Sequence, residues 1–223
     1  WNNPDALEQA VSESIAGVIL EPVQGLTGAR DLPPALLQAA RQACDKHGAL
    51  LIFDEVQCGV GRCGAFTAAE SFGVTPDVLT LAKGLASGLP ISAVVTTDAV
   101  AQHIKQGDLG STFGGGPVPC AAALATLQVI DEERLIENAM AVGDFLAKGA
   151  LSLGQDKVVA TQGRGLLLGL RLAKPAAQVQ HALLAHHIVS GTSSDPQVLR
   201  LMPPLTFSKS EAELVLSALS EVL

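Results

Sequence analysis

Two short apolar runs, each closed by a charged side chain, constrain this chain more than any other feature. Ala49 to Phe53 (ALLIF) ends at Asp54-Glu55, and Val78 to Ala82 (VLTLA) ends at Lys83. Continuous apolar runs of this length, bounded by polar residues, read as buried parallel strands. An earlier run, Ala16 to Leu20 (AGVIL), is rich in β-branched residues and stops at Glu21-Pro22, ahead of a loop holding Gly25 and Gly28. Between it and ALLIF, PPALLQAARQACDKHG sets Leu36, Leu37, Ala40 and Cys44 on one helical face, with Pro at the first turn and Gly48 as the stop. Strand, helix and strand in this order predict right-handed crossovers, a sheet covered on both faces, and loops gathered along one edge. Such edges are where α/β proteins bind ligands.

Ile91 to Thr96 (ISAVVT) extends the predicted sheet, and GDLGSTFGGGPVP follows as a long glycine-rich loop of the kind that carries function. Helices are expected at Cys120 to Ile130 and Leu135 to Leu151. Shorter units come next: a strand at Gly165 to Leu172, a helix at Ala176 to His187, a strand at Val198 to Met202, and a last helix from Lys209. Ser208 and Glu211 have capping-box spacing, and Val215, Leu219 and Val222 form an apolar stripe behind them. The expected organisation is α/β with a mostly parallel sheet over residues 1–131, then a smaller α+β region over 132–223.

Composition excludes several classes of partner. The chain has 223 residues, 48% of them hydrophobic, so it can bury a sizeable core. A formal charge of −8, with 14 Lys and Arg spread thinly and no Tyr, argues against nucleic acid. No apolar run reaches the ~20 residues that a membrane helix needs, and WNNPDALEQ lacks the plan of a signal peptide, so a cytoplasmic protein is expected. Cys44, Cys58, Cys63 and Cys120 read as free thiols, and neither cysteine nor histidine spacing supports a metal site. The chain opens on Trp1 rather than Met, as an excerpt or a processed product would.

Asp54 and Lys83 stand out because a charge beside a buried strand end needs a partner or a cofactor. An ordinary loop charge is the bland reading of either residue alone. Their glycine-rich surroundings, GVGRCG and AKGLASGLP, let backbone approach a ligand closely. GVGRCG breaks the dinucleotide fingerprint, and no P-loop is present.

The strings LLIFDEVQCGVGRCGAF and PDVLTLAKGLASGLPISAVV resemble the class III (ω-amino acid) aminotransferases of fold type I, and within them the acetylornithine group. EPVQG at Glu21 to Gly25, GSTFGGGP at Gly110 to Pro117, RGLLLGL at Arg164 to Leu170 and VLRLMPPL at Val198 to Leu205 fall in the family's order, so the resemblance covers essentially the whole chain. It implies the C-terminal part of a large domain binding pyridoxal 5'-phosphate, followed by the small domain. By the same resemblance Lys83 carries the cofactor as a Schiff base and later moves the substrate proton, and Asp54 ion-pairs with the pyridine nitrogen so that the ring acts as an electron sink. Val56 packs on the ring, Gln57 bonds its phenolic oxygen, and Thr112 reaches the phosphate in the partner subunit of a homodimer with shared sites. Arg200, whose planar fork suits a carboxylate, is the implied substrate clamp. Plain core packing for Val56, a turn hydroxyl for Thr112 and a strand-face ion pair for Arg200 are the alternatives; Glu21 is taken as structural.

The implied reaction moves an amino group from an N-acetylornithine-like ω-amino donor to 2-oxoglutarate, a step of arginine biosynthesis. Ornithine, succinylornithine, 4-aminobutyrate and carrier-linked lysine are rival donors, aminomutases share the fold, and a non-catalytic partner subunit is the reading outside enzymes. Leu26 stands where many relatives have a glutamate that pairs with the clamp arginine, and Gly116 where asparagine is usual. The family's phosphate-cradling helix and ring-stacking aromatic precede the matched part, so this chain alone is expected to hold cofactor weakly or not at all.

Overall fold

The computed structural model describes residues 2–112 and 114–223, which divide into two compact units. The first comprises Trp1–Pro22, Leu32–Val60 and Thr67–Glu132; the second comprises Val23–Asp31, Gly61–Phe66 and Glu133–Leu223.

In the first unit, helix α1 (Pro4–Ala10) precedes strand β1 (Gly17–Leu20). After β2 (Val23–Gln24) and β3 (Arg30–Asp31), which belong to the second unit, come helix α2 (Pro34–His47) and strand β4 (Leu50–Asp54). The α2 helix forms where its sequence pattern requires: proline at the first turn, Leu36, Leu37, Ala40 and Cys44 buried, and Gly48 closing it in the left-handed conformation at φ 70°. A short helix α3 (Ala68–Phe72), strand β5 (Val78–Leu81) and strand β6 (Ala93–Thr96) follow, and the sheet order is β1-β4-β5-β6.

The sheet is mostly parallel, as expected: β1 pairs with β4 and β4 with β5 in parallel, while β6 runs antiparallel to β5. The reversal has a simple cause. A parallel return needs a crossover of a dozen or more residues, and the connection from Leu81 to Ala93 holds only the 3-10 turn Lys83–Ala86.

Coverage differs from the expectation of a sheet buried on both faces. In β4 and β5 burial alternates, with Leu51, Phe53, Leu79 and Leu81 buried and the residues between them half-buried. Ile19 of β1 is 62% exposed, and Val94 of β6 is 64% exposed. An apolar run records a side chain's preference for burial; here α2 supplies a cover at β1 and β4, and the opposite face has less. Helix α4 (Asp98–Ala101) is followed by α5 (Pro117–Glu132), which starts ahead of the expected Cys120 and buries only Ala123 and Ile130.

The second unit is a three-stranded antiparallel sheet, β7 (Val158–Arg164), β8 (Leu167–Leu172) and β9 (Val198–Leu201), packed with helices α6 (Leu135–Leu151), α7 (Ala176–Ala185) and α8 (Lys209–Val222). Leu146, Leu166, Leu170, Leu183, Leu199 and Leu219 form the centre of its core. Backbone approach is close at two glycines. A Cβ on Gly169 would lie 2.0 Å from the Gly28 carbonyl oxygen, and one on Gly143 would lie 1.9 Å from that of Gly165. Among the described residues, no helix is long and apolar enough to cross a membrane.

Candidate active site at the sheet edge

Because β4 and β5 are parallel neighbours, their C-terminal ends lie on one edge of the sheet, and the two charges singled out from sequence fall there. Asp54 is the last residue of β4, in register with Thr80 of β5, and Lys83 follows two residues after β5 ends. Asp54 is half-buried and held from two sides: the Val56 N–H donates to its Oδ1 at 3.1 Å and the Thr80 hydroxyl donates to the same oxygen at 3.2 Å. Among the described residues Oδ2 takes no hydrogen bond. The carboxylate is therefore fixed in direction with one oxygen unspent.

Lys83 opens the 3-10 turn with φ 44°, in the left-handed region that non-glycine residues rarely adopt. Its side chain is exposed and makes no hydrogen bond or ion pair among the described residues. The turn is fixed behind it. Leu85 and Ala86 are buried, and Ser87 Oγ lies 3.0 Å from Thr126 Oγ1 of α5. Val56 and Gln57 are half-buried in the turn that leaves β4, with the Gln57 amide free of hydrogen bonds among the described residues. Thr112 is exposed in the glycine-rich loop; its neighbour Phe113 lies outside the described residues.

Sequence reasoning overlooked Thr80 and Glu55. Thr80 carries a signal only after the strands are in register, because nothing in VLTLA shows which residue faces Asp54. Glu55 is fully buried and accepts the N–H groups of Ala68 at 2.5 Å and Ala69 at 2.8 Å, at the start of α3. Burial pushes its carboxyl above the usual range, and the two N–H groups oppose that shift. It locks the segment after Asp54 in place.

Arg200 lies in the second unit, in the middle of β9. Its Nε donates to the Thr192 carbonyl at 2.7 Å and its NH1 to the Gly25 carbonyl at 3.1 Å. Among the described residues it has no ion pair. The strand-face ion pair that a lone arginine commonly makes is thus missing, and the guanidinium is oriented by backbone alone. Leu26, next to the Gly25 carbonyl, is 64% exposed and anchored through its own carbonyl by the Ser194 N–H at 3.1 Å. Glu21 is half-buried at the end of β1, Gly116 half-buried ahead of α5, and none of the four cysteines is in a disulfide.

A family model described as aminotransferase class-III matches residues 2–223. This chain belongs to the class-III aminotransferases. Among its relatives are acetylornithine aminotransferases of Methanosarcina mazei, 38% identical over 99% of this chain, and of Mycobacterium leprae, 44% identical over 100% of it. The chain spans 55% of the length of each. Among solved structures, the ornithine aminotransferase of Toxoplasma gondii superposes with a TM-score of 0.92 at 32% identity, covering 100% of this chain and 54% of that one. The acetylornithine aminotransferase of Elizabethkingia anophelis gives a TM-score of 0.90 at 31% identity, covering 100% and 58%. The fold is thus that of the class-III aminotransferases, in part.

Proposed function

We propose that this chain contributes the lysine and aspartate of an aminotransferase dependent on pyridoxal 5'-phosphate, which moves an amino group from an N-acetylornithine-like ω-amino donor to 2-oxoglutarate. The observation that carries the reading is the Asp54 carboxylate, pinned at Oδ1 with Oδ2 unspent, on the sheet edge where Lys83 also lies. That donor set fits the cofactor: a carboxylate for a cationic ring nitrogen and a primary amine for covalent attachment. A Toxoplasma gondii ornithine aminotransferase structure is described with partial occupancy of this cofactor at its active site. When bound, the cofactor supplies an electron sink for the bond broken at the amino-bearing carbon.

The protein's own groups do the rest. Asp54 keeps a positive nitrogen beside it by charge and hydrogen bonding. Lys83 takes and returns the proton at the amino-bearing carbon. Val56 would support the ring by contact, and the unengaged Gln57 amide would be available to its phenolic oxygen. Arg200, steered by two carbonyls and carrying no carboxylate of its own, receives a substrate carboxylate. Thr112 makes no side-chain hydrogen bond to the described residues of its own chain, which suits a role at the cofactor phosphate of a partner subunit in a homodimer. The cytoplasm is the setting that goes with this reading.

The donor is assigned from the kind of relative, and the exposed Leu26 beside the arginine's carbonyl anchor favours a site with no internal carboxylate to displace. The test is made on the full-length protein. Incubated with pyridoxal phosphate, it should gain visible absorbance, and borohydride should fix the cofactor on the peptide containing Lys83. N-acetylornithine, ornithine and 4-aminobutyrate are then compared as donors to 2-oxoglutarate. A full-length protein that takes up no cofactor and transfers no amino group would be a non-catalytic subunit, and the proposal would fall.

A further inference from the structure

The stretch between β9 and α8 is suspended from side chains. Met202 to Phe207 has no helix or strand, and Pro203 and Pro204 contribute no N–H, so this backbone is anchored chiefly through its carbonyls. Two side chains supply the donors. Arg62 NH1 donates to the Pro203 carbonyl and, at 3.3 Å, to that of Leu166, while the Arg62 carbonyl accepts the Leu166 N–H at 3.0 Å. Asn138 of α6 donates through Nδ2 to the carbonyls of Leu205 at 2.7 Å and Phe207 at 3.0 Å.

Apolar packing acts beside these anchors, with Leu205 and Phe207 set against the core of this unit. A cavity of about 330 Å³ lies along the same stretch, lined by Leu146, Val189, Met202, Pro203, Pro204 and Phe207. Arg62 is half-buried with no ion pair among the described residues, and burial lowers its pKa. A guanidinium in that setting costs more than an apolar side chain of similar length, so its use for two carbonyls calls for a reason beyond stability.

We infer that Arg62 and Asn138 are positioning residues for Arg200: by fixing the stretch that begins at Pro203, three residues after Arg200, they set where β9 ends and so where the Arg200 guanidinium points. The inference rests on the reading of Arg200 as the group that binds substrate carboxylate. A displacement of this end of β9 misaligns a planar, bidentate donor and weakens carboxylate binding, while chemistry at Lys83 proceeds once substrate is bound.

The experiment compares Arg62→Met, Arg62→Lys, Asn138→Ala and Arg200→Ala in the full-length protein loaded with cofactor. KM and kcat are measured for 2-oxoglutarate, for the amino-acid donor and for an ω-amine with no carboxylate, and Tm is recorded. Arg62→Met should raise KM for the carboxylate-bearing substrates by about tenfold, with kcat and the carboxylate-free amine changed by less than about twofold. Arg62→Lys, which still offers a donor, should fall between Arg62→Met and the parent. Asn138→Ala should raise the same KM values by about threefold. If Arg62→Met does not fold, Arg62→Lys and Asn138→Ala make the same comparison. A fall in Tm with KM unchanged, or equal rises for both kinds of amine, would overturn the inference. If Arg200→Ala leaves KM for 2-oxoglutarate unchanged, the reading of Arg200 itself fails. If Arg200→Ala raises it and none of the other variants does, only the positioning role fails.

Discussion

At the scale of single residues, the proposed site depends on one carboxylate held in a chosen direction. Thr80→Val keeps shape and removes a hydrogen bond to Asp54 Oδ1, so kcat/KM of the full-length protein should drop by about fivefold, the equivalent of about 1 kcal/mol. Asp54→Asn removes the charge proposed to pair with the ring nitrogen and should cost at least about a hundredfold in kcat while cofactor still binds. Lys83→Ala should abolish both turnover and the borohydride-fixed product; an active Lys83→Ala protein would end the proposal. Backbone proximity sets a different kind of limit. Gly169→Ala drives a methyl group into the Gly28 carbonyl, an overpacking that should destabilise by about 1–3 kcal/mol in urea unfolding. The places of Asp54 and Lys83 at the ends of neighbouring strands were legible in the sequence because each closes an apolar run. Thr80 was not, since its role exists only through register, and neither were the Thr192 and Gly25 carbonyls that aim Arg200.

At the scale of elements, legibility followed the strength of local patterning. Helix α2 was expected from its apolar face and its Pro and Gly ends. Helix α8 was expected from its capping box, in which the Ser208 hydroxyl takes the Glu211 N–H and the Glu211 carboxylate takes the Ser208 N–H. Strand β7 was overlooked, because VVATQGR has no apolar alternation and is made a strand by pairing with β8. The direction of β6 was equally hidden, being set by the length of the connection before it. The cap gives a pH test. Hydrogen bonds from the Ser208 N–H and then its hydroxyl hold the Glu211 carboxyl below the usual carboxylate range. A carboxyl lowered in the folded state contributes stability above its unfolded pKa and loses it as pH falls through the folded one. The Tm advantage of the parent over Glu211→Gln should therefore be full at neutral pH and vanish in acid. Ser208→Ala, which also takes away the helix N-cap, should cost about 1 kcal/mol at neutral pH in urea unfolding.

At the scale of the whole molecule, burial is uneven between strand β8 of the second unit and strands β1 and β6 of the first. The second closes its core around β8, whose Leu167, Leu168, Leu170 and Leu172 are all buried. The first leaves Ile19, Val94, Val95, Val118 and Leu124 exposed on its strands and on α5. Hydrogen exchange on the 223-residue chain should show the β8 amides protected to near the global unfolding free energy, with β1 and β6 exchanging through smaller openings. Equal protection of β8, β1 and β6 would contradict that difference in burial. That contrast was not legible in advance, since periodicity registers how apolar a strand is and says nothing about what lies on top of it.

The second unit also ignores the order of the chain. Gln162 reaches back to the Gly28 carbonyl, 134 positions earlier, and Arg164 pairs with Asp31 through both its Nε and its NH2. A gene fragment starting at residue 133 would omit both early stretches, leaving the Gly28 notch beside Gly169 vacant and Arg200 without its Gly25 anchor. Anyone dissecting this protein by truncation, or grafting its C-terminal half onto another scaffold, must carry 23–31 and 61–66 along, by circular permutation or by co-expression.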